Sequence, residues 1–339
     1  MITEGARPGE GGRGPLPSPS PAVPVAEAGD PGRSASVFRR LRTDPAARVG
    51  LVIVGVFLAM AVLGPALAPR DPLEVTVDRL QGPSLRHLLG TDGLGRDLLS
   101  RLLHGSRLSL GTAVLTSVLV TIIGVLVGTV SGFAGGLVDR LCMRSVDVVL
   151  TVPGLILALA VTGMFKPSLR AVMLGLVTIV WAGYARIVRG LVLAMKERPF
   201  VEAARASGAG PTRVVTRHIL PNMISPVVVL ATIEIGQLLL AISTLTFLGL
   251  GAPPPTPEWG AMLNDGRTYF LSDPHVVLIP GLTISLAVLG FNLVGDGVRD
   301  ALDPRLLGER RLSLFRRRAS AGRPVHGQEG LDTQGRAGR

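Results

Sequence analysis

Apolar residues run in long blocks along the chain, separated by stretches in which charge, Gly and Pro collect. A helix that crosses a bilayer needs about 20 mostly apolar residues, because each rises ~1.5 Å across a hydrocarbon core of ~30 Å. Six segments meet or approach that length: Val49 to Ala68, Leu108 to Val130, Val146 to Phe165, Ala171 to Val188, Met223 to Leu250, and Val276 to Val294. Arg186 interrupts the fourth of them. The pattern predicts an all-α, polytopic protein with six transmembrane helices.

Residues 1–36 carry Gly, Pro, Ser and Ala with almost no large apolar side chain, so they are expected to form a disordered tail. The first apolar block starts too late and runs too long for a cleaved leader, and is expected to stay as an anchor. The predicted organisation is a tail (1–36), an amphipathic entry with the first span (37–68), an extracytoplasmic loop (69–107), a five-span core (108–300) and a second tail (301–339).

Composition sharpens this reading. A chain of 339 residues with 47% hydrophobic and 17% charged residues, and a mean hydropathy of +0.46, has the bilayer as its natural solvent. The net charge of +11 does not indicate nucleic acid, because the arginines gather beside apolar segments and in the tails rather than in a stripe with aromatics. The single cysteine, Cys142, excludes an internal disulfide, and no histidines stand at metal-ligand spacing. His87, His104 and His275 are read as incidental, and no metal or catalytic residue is assigned.

Basic residues set the orientation. Arg39, Arg40, Arg42 and Arg48 precede the first span, while Arg186, Arg189, Lys196, Arg198, Arg205, Arg213 and Arg217 lie between the fourth and fifth. Both flanks belong in the cytoplasm, and six spans return the C-terminus to the same side. The loop from Arg70 to Arg107 dissents, since it should be external yet carries Arg79, Arg86, Arg96 and Arg101. Asp71, Glu74, Asp78, Asp92 and Asp97 are the acids available to pair with them.

The connection from Glu197 to Asn222 reads as two short helices. Pro199 suits a first helical position, Glu202 the first turn, and Gly208 the C-cap. Pro211 opens a second helix with Arg213 and Arg217, which Leu220-Pro221 is expected to close. A polar helix pair on the inner face suggests a docking surface.

At this stretch the chain resembles the permeases of ATP-binding-cassette importers, whose hallmark is E-A-A, three residues, G, nine residues, I-x-L-P. Glu202, Ala203, Ala204, Gly208, Leu220 and Pro221 stand at that spacing, and His218 replaces the Ile in the manner of the peptide and nickel permeases. Three further stretches resemble the C-type subunit of dipeptide and oligopeptide systems: Leu89 to Arg107, Phe247 to Leu263, and Asn292 to Arg305. The resemblance implies a six-helix type I importer permease in a bacterial inner membrane, in which the loop 197–222 forms a coupling helix and Glu202, Ala203, Ala204, Gly208, His218, Leu220 and Pro221 are the ATPase-coupling residues. It also implies partners: a second homologous permease, two ATPase subunits or domains that bind ATP and Mg, and an extracytoplasmic substrate-binding protein. The chain has no G-x-x-x-x-G-K followed by Ser or Thr, so it is expected to bind no ATP itself. Peptide import is the first reading and nickel or another small solute the second. A secondary transporter would need ion sites and an internal repeat, which the sequence does not offer.

Inside the spans, Gly124, Gly128, Gly132 and Gly136 recur every fourth residue and predict a close helix contact, within the chain rather than with a partner. Glu234 and Gln237 lie in the fifth span, where a carboxylate needs a partner or an aqueous cavity. Glu234 is either a path-lining group or a structural one, held by a packed hydrogen bond or kept neutral by a proton. Asp147 and Asp296 are read as capping or snorkelling groups at segment ends. Pro153 and Pro280 interrupt the helical ladder of their spans and mark possible kinks.

Overall fold

The computed structural model describes residues 44–302. The two predicted tails, 1–36 and most of 301–339, with Arg39, Arg40 and Arg42, lie outside the described residues. Among the described residues the regular elements are helices, with a long irregular connection over 68–97. The elements are α1 (Pro45–Leu67), α2 (Leu98–Ala134), α3 (Gly136–Thr151), α4 (Gly154–Gly163), α5 (Leu169–Lys196), α6 (Pro199–Ala206), α7 (Pro211–Val214), α8 (Leu220–Phe247), α9 (Trp259–Gly266) and α10 (His275–Leu302).

Local chemistry fixes the helix starts. Asp44 accepts from the Ala46 amide at 3.0 Å, with Pro45 in the first turn of α1. Asp97 caps α2 through the Ser100 amide at 2.9 Å, and Ser168 caps α5 through the Ala171 amide at 3.2 Å. Each cap satisfies an amide that the first helical turn leaves without a carbonyl partner.

Five helical segments are long and apolar enough to cross a membrane: Pro45–Leu67, Leu98–Ala134, Leu169–Lys196, Pro211–Phe247 and His275–Ala301. The third predicted span is not a straight helix. Residues Gly136–Thr151 and Gly154–Gly163 meet at 87°, and count as a sixth span only when taken together. The break falls at Pro153, which has no amide proton and whose extended φ/ψ of −53° and 122° stops one helix and starts the next. Pro280 sits inside the uninterrupted α10. The second span also begins earlier than its apolar block, at Leu98, so the polar run Ser100 to Arg107 is helix rather than loop.

The bundle packs on small residues. A Cβ at Gly124 would lie 2.6 Å from Tyr184 Cβ, one at Gly128 2.6 Å from the Ala185 carbonyl oxygen, and one at Gly132 2.9 Å from Val192 Cβ. Only glycine lets α2 and α5 approach so closely, and the contact is within the chain as expected. Gly136 drops out of the stripe, since it lies beyond the end of α2 with nothing around its Cβ position. Elsewhere α10 packs on α8 and α1, and α9 is lodged between α8 and α10.

The loop whose arginines opposed the topology rule is a compact, internally paired structure. Arg96 Nε lies 2.6 Å from Asp92, and its Nη2 reaches Asp265, 169 residues away, at 3.0 Å. Arg101 adds longer pairings to the same two carboxylates, 3.6 Å to Asp92 and 3.5 Å to Asp265. Both arginines and Asp92 are buried, while Asp265 is 32% exposed and meets the two guanidinium groups from the edge of the fold. Arg96, before α2, and Arg101, in its first turn, are thus held by structural ion pairs, and Asp92 is the one expected acid that pairs with them among the described residues. Buried His87 instead shares a 2.9 Å contact with Asp97, whose second oxygen accepts from Ser100.

Candidate functional site

The segment 197–222 departs from the bundle as two short turns at one end. Pro199 occupies the first turn of α6 with Glu202 beside it, where free amides and the helix dipole favour an acid. Ser207 is the C-cap and Gly208 follows at φ +80°, a left-handed conformation that a side chain would strain. The Gly208 amide donates to the Arg205 carbonyl at 2.9 Å and the Ala209 amide to Ala204 at 3.0 Å. That double return is the Schellman arrangement, and it explains why glycine stands there. Gly208 thus lies one residue beyond the cap position expected for it.

α6 is anchored on one side only. Val201 is fully buried in a cluster with Val188, Val192, Val214, Ile219 and Met223, which ties α6 to α5 and to the base of α8. Burying a valine this way contributes roughly 1.5 kcal/mol. Glu202, Ala203 and Gly208 are exposed and Ala204 half-buried, so the E-A-A-x-x-x-G face is open.

The second turn does not close where Leu220-Pro221 was expected to close it. α7 passes into a π turn, Val215–Ile219, and then into α8, so one helical segment runs from Pro211 to Phe247. The reason is local. The Leu220 amide bonds to the Val215 carbonyl, five residues back, and the wider turn makes room for the Pro221 ring, which cannot donate to Arg217. Asn222 Nδ2 donates to the His218 carbonyl at 2.6 Å and replaces part of the lost ladder. His218 and Leu220 are half-buried and Pro221 is exposed. The π turn is typical of functional positions, and the sequence reading did not anticipate it.

At the same end, Arg189 grips Asp139 through two 2.6 Å bonds and joins α5 to α3. Asp147 forms a 2.6 Å pair with Arg186, both side chains more than half exposed, so it is an ion-pair partner rather than a cap. Arg186, which interrupts the apolar run of the fourth span, is thereby given a counter-charge.

In α8 the two polar candidates separate. Glu234 is half-buried and Gln237 exposed, and among the described residues no hydrogen bond or ion pair reaches either side chain. A polar site that sequence reasoning did not single out lies at the opposite end of the bundle. Fully buried Glu258 accepts from Ser109 Oγ at 2.9 Å and from the Ala261 amide at 2.9 Å, and burial pushes its carboxyl above the ordinary range. Trp259 donates from Nε1 to the Leu102 carbonyl at 3.1 Å and meets Phe57 edge-on at 5.7 Å. The Glu-Trp-Gly string is the wedge that seats α9 against α1 and α2.

Five long apolar helices, a bent sixth and a short polar helix at one end give the described residues the architecture of a polytopic membrane protein. The family described as binding-protein-dependent transport system inner membrane component matches residues 121–308, more than half of the chain, and the protein belongs to that family of importer permeases. The N-terminal TM domain of oligopeptide transport permease C matches residues 33–83. The chain is 40% identical over 297 residues to the dipeptide transport system permease protein DppC of Alkalihalophilus pseudofirmus, covering 86% of this chain and 97% of that one. It is 44% identical over 273 residues to the glutathione transport system permease protein GsiD of Shigella flexneri, covering 80% and 90%. An inward-facing MetNI methionine ABC transporter structure matches with a TM-score of 0.49 and 22% identity, over 60% of this chain and 96% of that one.

Proposed function

We propose that this chain forms half of the translocation path of an ATP-driven importer for di- or oligopeptides, and that α6 is its coupling helix. The observation that carries the coupling assignment is the one-sided anchoring of α6: Val201 holds it to the spans while Glu202, Ala203 and Gly208 face outward. A second, homologous permease completes the path, two ATPase subunits bind ATP and Mg and receive α6, and an extracytoplasmic binding protein delivers the solute. The bundle sits in the bacterial inner membrane with residues 197–222 and both termini on the cytoplasmic side. The relatives named for dipeptide and glutathione transport support peptides as the solute class over nickel.

In this scheme the chain contributes geometry rather than chemistry. ATP-driven closure of the ATPase pair pulls on α6, and the continuous segment Pro211–Phe247 carries that displacement into α8 as a rigid body. Glu234 and Gln237, on the same helix, then face the path. A carboxylate without a protein partner on a moving helix is suited to the ammonium end of a peptide.

The test is uptake by the reconstituted complex. Glu202→Lys, or Gly208→Pro, which removes the amide that bonds to Arg205, should abolish coupled uptake while the protein still inserts. Normal uptake in both variants would remove the coupling assignment. Glu234→Gln should weaken uptake at limiting peptide; unchanged uptake would take that residue off the path.

A further inference from the structure

Three helix ends meet on one aromatic ring. Phe133 is the penultimate residue of α2, and its ring lies 5.7 Å from the Lys196 ammonium and 5.9 Å from the Arg205 guanidinium. Lys196 ends α5, and Arg205 lies in the last turn of α6. Lys196 Nζ also donates to the Phe133 carbonyl at 3.0 Å and, more weakly, to the Gly132 carbonyl at 3.4 Å. These are final-turn carbonyls of α2, the negative end of its dipole, where a cation is favoured. The reach depends on the glycine stripe, because Gly132 brings the α2 backbone against Val192 one turn before Lys196.

We propose that Phe133 is a positioning residue that makes α2 and α5 move with α6, so that displacement of the coupling helix enters the bundle by a second route besides α8. The proposal rests on the coupling assignment of α6. Otherwise α6 is held to the spans by the two-residue link Glu197-Arg198 and by Val201, a contact made to α5 and the base of α8. Among the described residues, neither Lys196 nor Arg205 has a carboxylate within ion-pair distance, so the ring is their shared partner. A cation over a ring face is attracted without the fixed angle of a bidentate pair. The joint therefore transmits displacement while tolerating small rotations of α6. Phe133 also packs against the Val192 and Val201 cluster, so the ring is already held on its apolar side.

The experiment uses the complex with its partner permease, ATPase and binding protein, reconstituted in vesicles. Nitroxide labels are placed on α6 (Ala206→Cys) and α2 (Val130→Cys), with Cys142→Ser as background, and the distance between them is read with and without ATP. With Phe133 the distance should be narrow and unchanged by ATP. In Phe133→Leu, which keeps an apolar side chain and removes the ring face, it should broaden and become ATP-dependent, and labelled dipeptide taken up per ATP should fall about fivefold. Phe133→Tyr should restore both readouts. A Leu variant with the parental distance and ratio, or a Tyr variant as impaired as Leu, would overturn the proposal in favour of packing alone. Glu202→Lys separates the two assignments: if it uncouples the complex and Phe133→Leu does not, only the joint fails; if neither uncouples it, the coupling role of α6 fails first.

Discussion

Replacing Gly128 by Ala tests the close packing of α2 against α5. The new methyl would sit 2.6 Å from the Ala185 carbonyl oxygen and 2.7 Å from Val188 Cβ, against ordinary contacts of about 3.5–4.0 Å. Both neighbours belong to a helix backbone or to its first side-chain atom, so relief requires α2 and α5 to part by about 1 Å over that turn. Overpacking of this kind costs about 1–3 kcal/mol. Gly111→Ala, on the same helix with nothing within 4 Å of its Cβ position, is the control, and there the better helix propensity of Ala acts unopposed. Thermal unfolding of the purified chain in mild detergent should therefore place Gly128→Ala below Gly111→Ala, by about 2–4 °C per kcal/mol on the scale of 150–250-residue domains. Equal stability of the two variants would refute the close approach of α2 and α5.

Asp265→Asn should lower stability by roughly 1–3 kcal/mol, because it leaves two buried arginines sharing Asp92 alone; detergent melting with Asp265→Glu as a control checks it. Trp259→Phe keeps the ring against Phe57 but leaves the Leu102 carbonyl without its donor, and should cost about 1–2 kcal/mol in the same assay. The raised carboxyl of Glu258 means that the folded chain holds a proton longer than the unfolded one, so its contribution to stability falls as pH rises from the ordinary value of 4.5 upward. Glu258→Gln should flatten that part of the stability profile, and a variant profile that still falls as steeply would reject the assignment.

Much of this arrangement was legible in the sequence. Span length, the glycine stripe and the Pro199 and Glu202 punctuation each state a local physical requirement, and the structure meets it in five spans, at Gly124, Gly128 and Gly132, and at the start of α6, with Gly208 one residue past the expected cap. What was missed depends on how distant segments meet. Pro153 is expected to kink the run Val146 to Phe165, but the size of the bend, 87°, follows only from the packing of the two halves. Pro221 reads as a stop signal because the π turn just before it, Val215–Ile219, has no composition of its own. Arg96 and Arg101 read as topology anomalies until Asp265, far along the chain, is brought against them. Lys196 looked like one more basic residue on a cytoplasmic flank, and its role at the end of α2 follows only from the approach of two helices.

The central claim is that α6 is the surface through which an ATPase drives this permease. The most direct measurement is affinity purification of the chain from its native membrane in mild detergent, with mass spectrometry of its companions and an ATPase assay, for the parent and for Glu202→Lys. A second permease and an ATPase should be recovered with the parent, and the ATPase or its stimulated hydrolysis should be lost with Glu202→Lys. Recovery of the chain without an ATPase, or hydrolysis indifferent to Glu202, would contradict that claim.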